Sequence, residues 1–252
     1  MLTRKGRAAA SAFLVEGPHA VADALDAPGD RVRDVFITES AADRETALLR
    51  AAISAGGTVR TVSDRVLASL GDTVTPQGVV AVVDLPAMDL GGAFSRDVRL
   101  AVVLDGVADP GNAGTVIRTA DAAGADAVVF AAGSVDIWSG KCVRSSAGSL
   151  FHVPVVTGAS MPTAIGLARA AGCAVLATAA DGDVDLDELI DADLLAGPTA
   201  WLLGNEAHGL SDASRTGADR VVRLPVYGRA ESLNLAAAAA ICLYASARAH
   251  RP

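Results

Sequence analysis

Three short stretches hold the residues most able to do chemistry. The first, 105–120, reads as a strand, a Gly-rich turn and a helix, with Asn112 placed to cap the helix and Gly124 to stop it. Arg118 lies about two turns into that helix, between Val116, Ile117 and Ala120, where a guanidinium must either snorkel to water or meet an anion. The second stretch, 201–211, is an apolar strand that opens into a polar turn bounded by Gly204 and Gly209. Glu206 emerges just past the strand, either as a solvated loop acid or as a carboxylate facing a ligand, whereas His208 reads as a loop residue. The third, 222–236, puts Ser232 where it could cap the last helix, without the Glu three residues on that completes a capping box. Asn234 then falls in that helix's first turn beside free N–H groups, and because Asn suits helix interiors poorly a side-chain role is expected of it.

The glycines at 106, 111 and 114 miss the G-x-G-x-x-G spacing of a dinucleotide site, and no phosphate-loop lysine follows them. A fourth stretch, 138–149, carries Lys141 and Arg144 three residues apart, hence on one helix face, where they either face solvent or receive phosphates. Arg4, Lys5 and Arg7 form the basic cluster near the start. Cys142, Cys173 and Cys242 are too scattered for a CxxC pair or a zinc set, so neither a disulfide nor a metal site is expected.

Composition narrows the class of protein that must position these groups. With 51% hydrophobic and 20% charged residues, the 252-residue chain is neither disordered nor fibrous. The net charge of -8, from 21 Lys+Arg against 29 Asp+Glu, excludes a basic field over the whole surface but not a local patch. All the cations except Lys5 and Lys141 are Arg, which suits bidentate anion contacts and equally suits a genomic bias. No apolar run is long enough to span a membrane, and no apolar h-region follows the charged start, so a soluble, cytoplasmic protein with no membrane partner is expected.

Two halves separate at the Pro- and Gly-bearing stretch 85–98. The expected division is residues 1–84, a linker 85–98, and a second domain at 99–252. The first half alternates strands at 32–37, 58–62 and 78–83 with helices from Pro18 to Leu25, at 41–55, and from Ser63 to Leu70. The second half has apolar runs at 100–104, 127–131, 152–156, 174–178, 200–203 and 220–224, separated by loops and helical segments. Such runs predict an α/β domain with a mainly parallel sheet covered on both faces, whose ligands lie beyond the strands' carboxyl ends. The terminal helix, 232–248, is apolar all round and must be buried in its own core or against a partner.

In order and spacing the stretches match a family. The pattern N-x-G-x-x-x-R-x-A at Asn112, Gly114, Arg118 and Ala120, L-G-N-E-x-x-G-L at 203–210, and L-P-x-x-G-x-x-x-S-L-N at 224–234 resemble the SpoU/TrmH family of RNA 2′-O-ribose methyltransferases, of the SPOUT class. The first half resembles the small L30e-like RNA-binding domain that many members carry. The resemblance implies a C-terminal trefoil knot, which general topology rules would not suggest. It also implies S-adenosyl-L-methionine bound through the backbone at Gly204, Leu224 and Leu233, and a homodimer formed through the knot region. Arg118 would contact the target phosphate and ribose and help activate the 2′-hydroxyl as the nucleophile, with Asn112, Glu206, Ser232 and Asn234 completing the catalytic site. Lys141 and Arg144 match a K-x-x-R-x-S/A-x-G region beside the RNA.

The expected activity is therefore methyl transfer to RNA, not DNA. 23S ribosomal RNA is favoured because members acting on tRNA commonly lack the first domain. The alternatives are a tRNA methyltransferase, a non-catalytic RNA-binding or ribosome-assembly factor of the same fold, and, with the resemblance set aside, a dinucleotide-dependent enzyme.

Overall fold

The strands and helices fold into two units, Met1–Ala87 with Asp136–His152, and Met88–Val135 with Val153–Pro252. The computed structural model describes every residue except Asp30, Asp72, Ser95, Arg96 and Pro252. Ser95 and Arg96, in the expected linker, thus lie outside the described residues, while Leu90–Ala93 of that linker is a helical turn and Phe94 and Val98 are buried in the second unit's core.

In the first unit the elements are α1 (Arg4–Ala10), β1 (Ala12–Glu16), α2 (Pro18–Asp26), β2 (Val32–Thr38), α3 (Glu39–Arg44), α4 (Thr46–Ser54), β3 (Thr58–Val62), α5 (Asp64–Leu70) and β4 (Val79–Asp84). The sheet order is β1-β4-β2-β3, with β4 antiparallel to both neighbours and β2 parallel to β3. The run Val-Val-Ala-Val-Val makes β4 the buried centre. The expected helix at 41–55 divides at Glu45, where Arg44 donates to Ser40 O and the Thr46 hydroxyl to Asp43 O, side chains competing for helix carbonyls. Arg7 is not part of an exposed basic cluster: it is 6% exposed, and its Nε and Nη2 donate to Asp136 Oδ2 at 3.1 and 2.5 Å.

The second unit begins with α6 (Leu90–Ala93), followed by β5 (Leu100–Leu104), α7 (Pro110–Ala123) and β6 (Ala127–Ala131). The chain then passes into the first unit, where α8 (Gly140–Ser146) and a 3-10 turn (Ser149–Phe151) pack. Phe13 of β1 meets Trp138 and Phe151 there, with ring centroids 4.9 and 6.2 Å away. It returns as β7 (Val155–Ala159), α9 (Met161–Ala170), β8 (Ala174–Thr178), β9 (Val184–Asp185), α10 (Leu186–Asp191), β10 (Thr199–Leu203), α11 (Asp212–Gly217), β11 (Arg220–Arg223) and α12 (Leu235–Ala249). The strand expected at 152–156 starts later because Pro154, lacking an N–H, stands before it and only its carbonyl joins β6.

The seven strands are all parallel, in the order β7-β6-β5-β10-β8-β11-β9. Ala101, Val103, Ala200 and Leu202 pack on one face with Ala164, Ile165 and Ala168 of α9. The opposite face carries Trp201, fully buried, whose indole N–H donates to Ser246 Oγ of α12 at 2.9 Å. Only one side of α12 is buried, by Leu235, Ala239, Cys242 and Leu243 among others; Ala237, Ile241 and Tyr244 form an exposed stripe on the other. No described helix is long and apolar enough to cross a membrane.

Candidate active site

The sheet order reverses at β5: β6 and β7 lie to one side and β8 to β11 to the other. Ligands of open parallel sheets bind beyond the carboxyl ends at such a reversal. A cavity of about 680 Å³ opens there, within the size range of cofactor pockets. Its lining comes from the residues that follow β5, β8 and β10 and from the chain that leads into α12.

Hydrogen bonds join these loops. Asp105, just past β5, accepts from Ser211 N and Ser214 Oγ through Oδ2, at 2.9 and 2.5 Å. Asn205 Nδ2 donates to Gly106 O at 2.6 Å, while its Oδ1 accepts from Ala207 N and His208 N, closing the turn. Gly204 permits that turn, since a Cβ there would stand 2.5 Å from Gly209 O and Leu210 N. The Glu206 carboxylate accepts from Ala108 N at 3.1 Å, Asp109 N at 3.3 Å and Asn112 Nδ2 at 2.9 Å. Partial burial works against its ionisation, but the hydrogen bonds from Asn112 and Ala108 outweigh it and hold the carboxyl below its ordinary range. Asn112 Oδ1 in turn accepts from Asn234 Nδ2 at 3.0 Å, and Asn234 Oδ1 accepts from Ala236 N and Ala237 N.

Both expected caps move. Asp109, not Asn112, caps α7: Pro110 occupies the first helical position, so the cap must precede it, and Asp109 Oδ1 accepts from Asn112 N at 2.9 Å. Asn234, not Ser232, caps α12, leaving Ser232 exposed on the cavity wall. In all, Asn112, Gly204, Glu206, Leu224, Ser232, Leu233 and Asn234 line one cavity. Arg118 does not; it is exposed on α7 and has no hydrogen-bond or ion-pair partner among the described residues. Lys141 and Arg144 belong to the first unit, where Arg144 pairs with Glu16 at 2.9 Å. Sequence reasoning missed Asp109, which its position before Pro110 advertised, and the wall at Thr178, Ala179 and Ala180, which carries no motif. Among the described residues no group of three or more His, Cys, Asp or Glu could hold a metal ion.

Residues 99–244 match the SpoU rRNA Methylase family, more than half of the chain. The protein is a SpoU methylase. Residues 14–88 of this SpoU protein match a second family, RNA 2′-O ribose methyltransferase substrate binding. It is similar to the 23S rRNA (guanosine(2553)-2′-O)-methyltransferase RlmP of Bacillus subtilis (strain 168), 37% identical over 96% of this chain and 91% of that one. The 23S rRNA (uridine(2479)-2′-O)-methyltransferase of Streptomyces viridochromogenes is 38% identical over 97% of this chain and 85% of its own. Among solved structures, the SpoU methyltransferase AviRb from Streptomyces viridochromogenes, in complex with the cofactor AdoMet, superposes with a TM-score of 0.85 at 36% identity, covering 98% and 93%.

Proposed function

We propose that this SpoU methylase transfers a methyl group from S-adenosyl-L-methionine to a ribose 2′-hydroxyl of 23S ribosomal RNA. The observation that carries the reading is the Glu206–Asn112–Asn234 chain of hydrogen bonds, which draws all three motifs to one cavity at the sheet's reversal. Relatives named for 23S rRNA align along nearly the whole chain, including the first unit, and this favours rRNA over tRNA.

The cavity suits the cofactor on its own geometry. The main chain at Gly204, Leu224 and Leu233 lines it, offering polar backbone groups to an adenine edge, and Glu206 puts an ionised carboxylate at the rim. When bound, the cofactor would supply a methyl carbon on a sulfonium: the C–S bond would break to leave a neutral thioether as the C–O bond to the ribose forms, and the hydroxyl proton would pass to solvent. Glu206 is not assigned as the base: its oxygens already accept three hydrogen bonds, so it braces the site and favours a cationic ligand. Arg118, free on α7, is assigned to the phosphate beside the target ribose, which orients the hydroxyl for attack. Ser232 and Asn234 complete the wall that faces the substrate, and the first-unit stretch that bears Lys141 and Arg144 serves the RNA, Arg144 while held by Glu16 rather than as a phosphate contact.

The reading extends to the family's trefoil knot and to a homodimer formed through it, which the exposed stripe on α12 supports, and to a cytoplasmic location, where rRNA is made. Methyl transfer from labelled cofactor to separated rRNA and tRNA, with mapping of the 2′-O-methyl position, tests it. Label should enter 23S rRNA; label on tRNA alone would move the substrate, and no label on either RNA would end the catalytic reading.

A further inference from the structure

The first unit holds a cavity of about 390 Å³, only one wall of which, Val143, Arg144 and Ala147, belongs to a motif given above. It lies where β1 enters α2, beside the start of β4, and is closed by Val143, Arg144 and Ala147 of the stretch between β6 and β7. Its polar lining includes His19, Thr73, Thr75 and Gln77. Thr73 Oγ1 is fully buried with no hydrogen-bond partner among the described residues, while His19, Thr75 and Gln77 are exposed at the cavity mouth and bonded to no described residue. A buried polar atom normally finds a partner, so a group that enters this cavity is the natural source of one for Thr73, and it meets His19, Thr75 and Gln77 on its way in. Gly17, at φ +94°, shapes its mouth: a Cβ there would stand 2.6 Å from Gln77 Oε1.

The chemistry of the lining selects the ligand. An amide, two hydroxyls and an imidazole can each donate and accept, which suits a neutral edge of alternating donors and acceptors. The cation in the lining, Arg144, is already paired with Glu16, so a phosphate is poorly served. Pro76, Val79 and Val143 supply apolar walls for a flat ring. A planar group with a polar edge is a nucleobase, and a base splayed from single-stranded RNA is how proteins read RNA sequence. We propose that this cavity receives one unstacked nucleobase of the RNA substrate, read along its edge by Gln77 and Thr75 with Thr73 behind them. The proposal rests on the reading that RNA is the substrate.

The test uses the full chain. In amide-resolved NMR, titration with the RNA trinucleotides AAA, CCC, GGG and UUU should shift the amides of Gly17, Gln77 and Val79, most strongly for one base. Gln77→Ala and Thr75→Val should each raise KM for 23S rRNA by about tenfold, the loss of one or two neutral hydrogen bonds. The kcat, the affinity for S-adenosylhomocysteine and the melting temperature should stay as in the parent. Unchanged KM in both variants, or no shift at these amides with any trinucleotide, overturns the subsite. If the parent methylates no RNA yet the trinucleotides still shift these amides, the subsite stands and the catalytic reading fails.

Discussion

Asn112 Nδ2 donates to Glu206 Oε1 at 2.9 Å, across 94 positions of sequence. That bond fixes the polarity of the site. An ionised carboxylate only accepts, so Asn112 must turn its NH2 to Glu206 and its oxygen outward. Asn234 caps α12 with its own oxygen, so its NH2 is what meets the oxygen of Asn112. Two amides and one carboxylate thus join the starts of α7 and α12 to the turn after β10.

Replacing Glu206 by Gln breaks this order without changing its shape. One acceptor oxygen remains for three donors, so Ala108 N or the pair Asp109 N and Asn112 Nδ2 faces an NH2 group. Affinity for S-adenosylhomocysteine, measured by calorimetry, should fall by about tenfold, the consequence of one unmet donor. Because the folded state lowers the Glu206 pKa, its stabilising effect is present above the unfolded value of about 4.3 and is lost as pH falls through the folded value. The gap in melting temperature between parent and variant should therefore be open at pH 7 and narrow as the pH falls below the unfolded value of about 4.3; a gap that stays unchanged in acid would contradict the assignment.

Gly204→Ala should damage the same turn from within. The added methyl collides with backbone at Gly209 and Leu210, which has no rotamer to retreat into. Overpacking of this kind costs about 1–3 kcal/mol. Urea unfolding should show that loss, and the cofactor's affinity should fall with it, since Asn205 and Gly209 lose the paired backbone bonds that shape the cavity rim.

How much of this was legible in the sequence depends on the range of the interaction. Leu100–Leu104, Ala127–Ala131 and Ala174–Thr178 coincide with β5, β6 and β8, because an apolar run between helices is a local signal. The motif residues were legible as types, but not the bond from Asn234 to Asn112, which spans 122 positions. The same holds for Asp136–His152: nothing local says that Trp138 and Phe151 will find Phe13, or Asp136 find Arg7, yet those contacts draw the stretch into the first unit. The short β9 was missed because Val184–Asp185 sits in an acidic run whose pairing with β11 is carried by Arg223 and Asp185.

Trp201 offers a probe of the sheet's other face. With its indole N–H bonded to Ser246 Oγ in a fully buried site, Ser246→Ala leaves that donor unmet. The expected cost is about 1–3 kcal/mol in chemical denaturation, with a change in tryptophan emission that marks the altered environment. A cost near zero would mean that the bond contributes nothing beyond packing.

The exposed stripe on α12 makes the oligomeric state testable. Ala237, Ile241 and Tyr244 are spaced by four and three residues, so they share one face, and that face is apolar. Light scattering should give the mass of a dimer for the parent, and Ile241→Glu should halve it, because a carboxylate buried without a partner opposes association. A parent that runs as a monomer would remove the dimer from the proposal.

Arg118 is the residue on which the catalytic reading depends most directly. It lies on α7, the helix whose first turn carries Asn112, yet it neither lines the cavity nor pairs with any described residue. A structural role would leave a trace in stability, whereas a substrate role would not. Arg118→Ala should therefore keep the parent's melting temperature and bind S-adenosylhomocysteine within about twofold, because an exposed change away from the cavity moves stability little. Methyl transfer to 23S rRNA should fall by at least about a hundredfold, the scale seen when a group that orients a reacting atom is lost. Arg118→Lys separates charge from geometry: a point charge can hold a phosphate but cannot reproduce a bidentate fork. Recovery of most activity in the lysine variant would show that charge alone suffices, and equal loss of transfer and cofactor binding in the alanine variant would show that Arg118 serves the cavity rather than the RNA.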